Sequence, residues 1–245
     1  MKRLLFVLCL LVSSTVSAQK IINVEIEKDR KENFWRSYVL DLEKKIQLRD
    51  VAVSPAPFCL RLWLSGQVVD IWQEKDGLRG SLVNWVKEVV PYGEDETNRY
   101  FIIKEELDAS ICEKIHQAYV ERQLETLPSE ERIAGWKGGF DGVIYILETS
   151  RANKYYLKSY WTPKAQGSLE EAAVVQSFVN DVAQVLALPA RRHYFSNSIP
   201  FASWSNDGSF VTSRINTSAE YFRLKQERNR FRRSVKRQML NQQQP

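Results

Sequence analysis

Two apolar runs with only four residues between them constrain this chain more than any other feature. Residues 143–149 (VIYILET) and Lys154–Trp161 (KYYLKSYW) both carry the β-branched and aromatic side chains that suit strands. The chain between them is too short for anything but a turn, so they lie side by side and antiparallel. A four-residue turn, 150–153, pairs Thr149 with Lys154. Side chains alternate along a strand, which places Ile144, Ile146 and Leu157 on one face. Val143, Tyr145, Leu147, Tyr156 and Tyr160 fall on the other. Both faces are apolar, as expected of a central strand pair covered on both sides. The tyrosine face, with Trp136, Asp141 and Trp161 beside it, has a second reading as a platform for a glycan or peptide. Gly138, Gly139, Asp141 and Gly142 form a turn cluster at its entrance. Pro163 and Gly167 punctuate its exit.

The remaining chain supplies more hairpins and several helices. Residues 58–64 alternate, Ser65-Gly66 makes a tight turn, and 68–73 return as a second strand. Asp76-Gly77 and Gly80 mark the next turn, before strands over 81–90 and 100–104. Ile22, Val24 and Ile26 alternate as a short first strand. Helical spacing appears over 30–48, where Phe34, Tyr38, Leu42 and Ile46 recur every four residues beside Trp35 and Val39. Ser110 with Glu113 and Ser168 with Glu171 are capping boxes opening helices that run to about 124 and 188. Pro189 ends the second, and 190–217 lack a clear period, so a long loop with a short strand near 210–212 is expected. Thr217 with Glu220 is a third capping box and opens the basic tail helix. Strands in consecutive hairpins, with helices before, between and after, predict an α+β fold. Its sheet is mostly antiparallel, with amphipathic helices packed on it and a basic helix at the C-terminus. Residues 19–189 form one domain, followed by the loop and the helix with its tail, 218–245.

Lys2 and Arg3, an apolar run over 4–12, and small residues Val16 and Ala18 read as a signal peptide over 1–18. The run is shorter than the ~20 residues a spanning helix needs. No later stretch is apolar enough for one, so an exported chain, periplasmic or secreted, is expected. The formal charge of +5 hides an asymmetry. Residues 221–245 carry eight cations (Arg223, Lys225, Arg228, Arg230, Arg232, Arg233, Lys236, Arg237) and one acid, Glu227, for +7. Removing Lys2 and Arg3 leaves +3, so residues 19–220 sum to 3 − 7, or −4. Tyr221, Leu224, Phe231 and Val235 line a thin apolar stripe that Arg228 interrupts. A basic amphipathic helix on a mildly acidic body suits an anionic membrane surface or an envelope protein as partner. Export disfavours nucleic acid.

Residues that carry chemistry are sparse. His116 and His193 lie far apart, without the spacing of a metal site. There is no Gly-x-Ser-x-Gly elbow, Walker loop or dinucleotide glycine motif, so no cofactor, metal or catalytic set is expected. Asp141 and Glu148 are seven residues apart, roughly 23 Å along a straight strand, too far for a glycosidase pair. Glu148 sits near a strand end and is expected to be solvated. Cys59 and Cys112 form either a disulfide or two buried thiols. Seven tryptophans, among them Trp63, Trp72, Trp85, Trp136, Trp161 and Trp204, serve core packing or sugar stacking. The function expected is binding of a partner or anionic surface by a non-catalytic exported protein. The alternative is a glycan-binding or glycan-hydrolysing protein using exposed Trp and Tyr with an acid.

Overall fold

A computed structural model of the chain describes residues 21–24, 33–152, 154–206 and 210–242. The expected signal peptide lies outside them. The described residues form an α+β fold around one nine-stranded sheet, antiparallel in every pairing except one. The strands are β1 (Ile21–Val24), β2 (Phe58–Leu64), β3 (Gln67–Glu74), β4 (Gly77–Glu88) and β5 (Tyr100–Leu107), followed by β6 (Ile144–Arg151), β7 (Lys154–Trp161), β8 (Ser203–Ser205) and β9 (Thr212–Ser213). Their order is β1-β7-β6-β2-β3-β4, with β5 on the far edge of β4. β8 pairs with Lys87 and Glu88 on the other edge of β4, beyond the end of β3, and β9 follows it. Only β1 and β7 run parallel.

The hairpin of β6 and β7 forms, in a register two residues from the expected one. Arg151 pairs with Lys154 and Thr149 with Tyr156, so the turn is shorter than the four residues read from the sequence. A slip of two leaves every side chain on its expected face, because strand side chains repeat every two residues. Gly80 lies within β4 and not in a turn. A Cβ there would come within 2.8 Å of Cys112 Sγ and 2.9 Å of the Asp70 carbonyl, so the glycine permits close helix-on-sheet packing.

Each face of the sheet is covered differently. Helices α2 (Ala109–Glu121) and α3 (Glu170–Val185) lie on one face. There Leu62, Val69, Leu82, Ile115, Phe178 and Val182 make an apolar core. Helix α1 (Phe34–Lys45) lies on the other, over Trp63, Val68, Val83, Ile146 and Leu157. Asn33 caps α1 through its side chain, which accepts the Arg36 amide at 2.9 Å. The buried stripe of α1 keeps Leu42 and Ile46 of the expected one with the flanking Val39, adds Glu43, and leaves Phe34 exposed.

The expected long loop after Pro189 is corrected. Ala187 adopts a left-handed backbone, φ +47°, and Pro189 then sits in the first turn of a further helix, α4 (Leu188–Ser198). Proline suits that position because its missing N–H has no partner there anyway. Phe195 and Ile199 close a third small core with Val86 and Phe201. α3 and α4 bend by 62° at their junction, and no single described helix is long and apolar enough to cross a bilayer. The chain ends in α5 (Ser218–Gln242). Its capping box is made: the Thr217 amide donates to Glu220 Oε2 at 2.8 Å and the Glu220 amide to Thr217 Oγ1 at 3.3 Å.

Candidate functional site

The densest group of charges lies beneath α1. Arg61 of β2 stands directly between Asp70 of β3 and Glu148 of β6 in the sheet register. Its Nη2 donates to Asp70 at 2.9 Å, and its Nη1 to Glu43 of α1 at 2.5 Å and to the Arg49 carbonyl at 2.9 Å. Glu148, expected to be solvated, has no exposed surface. It accepts from Trp63 Nε1 at 2.5 Å and from the Tyr155 hydroxyl at 2.6 Å. Arg36 approaches it to 3.6 Å and binds Asp50 at 3.1 Å, while Arg49 binds Asp70 at 3.2 Å. Glu148 is buried because α1 roofs this end of β6, which no local pattern in YILET reveals.

Burial, reinforced by the charge of Glu148, pushes the Glu43 carboxyl up to about 8. Burial pulls the Arg61 guanidinium down, but Asp70 and Glu148 more than reverse this and leave it raised. The Tyr155 hydroxyl is pushed well up by burial and then by Glu148. With Glu43 protonated, three carboxylates (Asp50, Asp70, Glu148) face three guanidiniums (Arg36, Arg49, Arg61). The acids converge from separate elements, as in an active site, but Arg61 and Glu148 offer no surface to a substrate. What this arrangement does chemically is hold α1 on the sheet.

The expected ligand platform does not form one open face. Tyr160 is buried, with its hydroxyl donating to the Pro128 carbonyl at 3.1 Å and its ring 5.9 Å from that of Trp136. Trp136 Nε1 donates to the Trp161 carbonyl at 3.1 Å, and Trp136 and Tyr145 pack against the apolar core. Tyr156 and Trp161 are half-buried, and Asp141 is exposed. The glycines at this entrance accommodate Trp161: a Cβ on Gly139 or Gly142 would run into its ring.

Cys59 and Cys112 are buried thiols in the cores on opposite faces of the sheet, and no disulfide joins them. Cys59 Sγ is 3.2 Å from Ser54 Oγ, and burial pushes the Cys112 thiol up to about 11. His116 packs its ring 4.8 Å from Phe58, and burial lowers its pKa. His193 lies on α4, 3.2 Å from Asn197. Among the described residues no group of three His, Cys, Asp or Glu is placed to hold a metal ion.

The cations of α5 divide into two sets. Arg228, at the stripe position that interrupts Leu224 and Phe231, is 3% exposed. Its Nε lies 3.2 Å from Glu94, with Glu88 at 3.8 Å. Arg232 binds Glu94 at 3.3 Å and donates to the Asp95 carbonyl. Arg99 sits between the Phe201 and Phe231 rings, 5.0 and 5.2 Å from their centroids. The acidic loop after β4 (GEDE, 93–96) thus meets the inner side of α5. Arg223, Lys225, Arg230, Arg233, Lys236 and Arg237 remain exposed. At 100° per residue these six span an arc of about 160°, directed away from the stripe. Phe222 is 62% exposed and falls near the middle of that arc. The sequence marked all eight cations alike, and the signal that separates them is Arg228 standing inside an apolar stripe.

No protein-family model matches the chain, and no curated protein matches it.

Proposed function

We propose that this is an exported, non-catalytic binding protein that engages an anionic membrane surface through the outer face of α5. The observation that carries this reading is the division of the cations. Arg228 and Arg232 are used inward, which anchors the helix to the body, and six cations share one outward face. Each cation held near an anionic bilayer contributes about 1 kcal/mol, so six supply an attraction of roughly 6 kcal/mol at most. Phe222 adds an apolar ring where the cations approach the headgroups, as in helices that lie in the interfacial plane. Export is argued from the N-terminal pattern of Lys2, Arg3, the apolar run and Ala18.

Vesicle sedimentation tests the reading. Wild-type protein is expected to co-sediment with phosphatidylglycerol-containing vesicles at low salt, to release as salt rises, and to ignore phosphatidylcholine vesicles. Replacing the six outward cations with Gln should abolish binding without changing the fold, because none of them is buried. Equal binding to both vesicle types, or unchanged binding by that variant, would overturn the proposal.

A further inference from the structure

A cavity of about 370 Å³ opens beside the turn between β2 and β3, walled by α4 and β8. Its size is that of a small-ligand site. Gln67 and Asn84 line it from the sheet, Arg192 and Phe195 from α4, and Trp204 from β8.

Two features of this cavity point to an anion. First, among the described residues Arg192 faces neutral oxygens: it donates through Nη2 to the Ser65 carbonyl and, at 3.3 Å, to Gln67 Oε1. Among the described residues it has no carboxylate partner, whereas Arg191, its neighbour on α4, pairs with Glu105. Partial burial depresses the pKa of Arg192. Second, the amides beside it are oriented by that guanidinium. Because Arg192 needs an acceptor, Gln67 turns Oε1 toward it and Nε2 toward Asn84 Oδ1, at 2.7 Å. Asn84 Nδ2 is then a donor with no partner among the described residues, on a side chain 1% exposed. A buried donor of that kind favours an incoming acceptor.

We propose that this cavity binds a small organic monocarboxylate with an aromatic or branched apolar body. The carboxylate pairs with Arg192 and takes a further hydrogen bond from Asn84, while Phe195, Ile199 and Trp204 enclose the body. A single guanidinium and apolar walls match one negative charge. Phosphate, with more charge and more acceptors, needs a larger set of donors. The site is independent of α5, so neither proposal depends on the other.

Calorimetric titration of the full chain tests it, with 4-phenylbutyrate, its neutral amide and inorganic phosphate as probes. Phenylbutyrate is expected to saturate a single site and to bind about tenfold or more tighter than the amide, a difference of about 1.4 kcal/mol per factor of ten. Arg192→Gln should remove that preference and leave the amide unaffected. Thr212→Trp, at an exposed position on the cavity wall, should exclude both. Both residues are exposed, and matching thermal melts will show that the variants fold. The proposal is overturned if phenylbutyrate does not saturate, if acid and amide bind alike, if phosphate binds as tightly, or if Arg192→Gln changes nothing.

Discussion

The two faces of the sheet are buried to similar depth by different means. Under α2 and α3 the core is almost wholly apolar, and each large side chain there contributes about 1.5–3 kcal/mol by leaving water. Under α1 the core is apolar at Val39, Leu42 and Trp63 but ionic at Arg61, Asp70 and Glu148, with the protonated Glu43 carboxyl against Arg61. A buried ion pair gains little net stability, because desolvation offsets most of the attraction. What it demands is geometry. Arg61 meets Asp70 and Glu148 only when β2, β3 and β6 pair in one register, and it meets Glu43 only when α1 sits in one position. A one-residue slip of any of these strands would turn a charge to the opposite face. Apolar contacts are non-directional, whereas the charges must meet at bonding distance. The contrast assigns most of the driving force to α2 and α3 and the placement of α1 to the charges.

The strongest test of this contrast removes one member from each face. Arg61→Met leaves three acids without their central partner and should cost about 3–5 kcal/mol in urea denaturation. The loss should shrink as pH falls, because the stranded carboxyls can then take up protons. Phe178→Ala should cost a similar amount, about 3–5 kcal/mol, through a cavity, and equally at low and high pH. Arg61→Met combined with Glu43→Leu and Asp70→Leu should recover much of the first loss, since two of the three acids go with their partner and Glu148 keeps Arg36 at 3.6 Å. A triple variant no more stable than the single would break the comparison.

A smaller effect separates α5 from the body. Arg228→Ala removes the buried guanidinium between Glu88 and Glu94 and should weaken docking of α5 by about 1.5–3 kcal/mol. Hydrogen exchange should quicken across 218–242 while the amides of β2 and β3 keep their protection. Exchange that stays slow throughout α5 would mean that Arg228 is not what fastens it.

The smallest effect per step of the experiment is a slope in pH. Folded Glu43 keeps its proton to about pH 8, whereas an unfolded glutamate loses it near 4.5. Between those values the folded state binds more protons, so stability from this group falls as pH rises, by at most about 1.4 kcal/mol per unit. Below 4.5 and above 8 its contribution is flat. Glu43→Gln should therefore gain on the wild type steadily across that window in a series of denaturation curves. A constant difference would show that Glu43 ionises normally in the fold.

Much of the fold was legible because it is written in local periods. Alternation in 58–64 and in Lys154–Trp161 located β2 and β7, and Thr217 with Glu220 located the start of α5. The candidate surface was legible as composition, since eight cations crowd the last 25 residues. The helix α4 was not, because Arg191, Arg192, His193 and Tyr194 give it no amphipathic stripe, and it is held instead by Phe195 and by contacts from α4 to distant strands. Lone charges inside apolar runs (Arg61 in FCLRLWL, Asp70 in QVVDIWQE, Glu148 in IYILETSR) carried the signal for the ionic core. Each has an ordinary solvated meaning taken alone. The chain by itself determined most strands and helices, α4 excepted, and where the positive charge accumulates, because those depend on neighbours a few residues away. Only the tertiary structure decided which charges are buried, which cations of α5 turn inward, and which arginine has no acid beside it among the described residues, because those depend on what distant segments bring within a few ångströms.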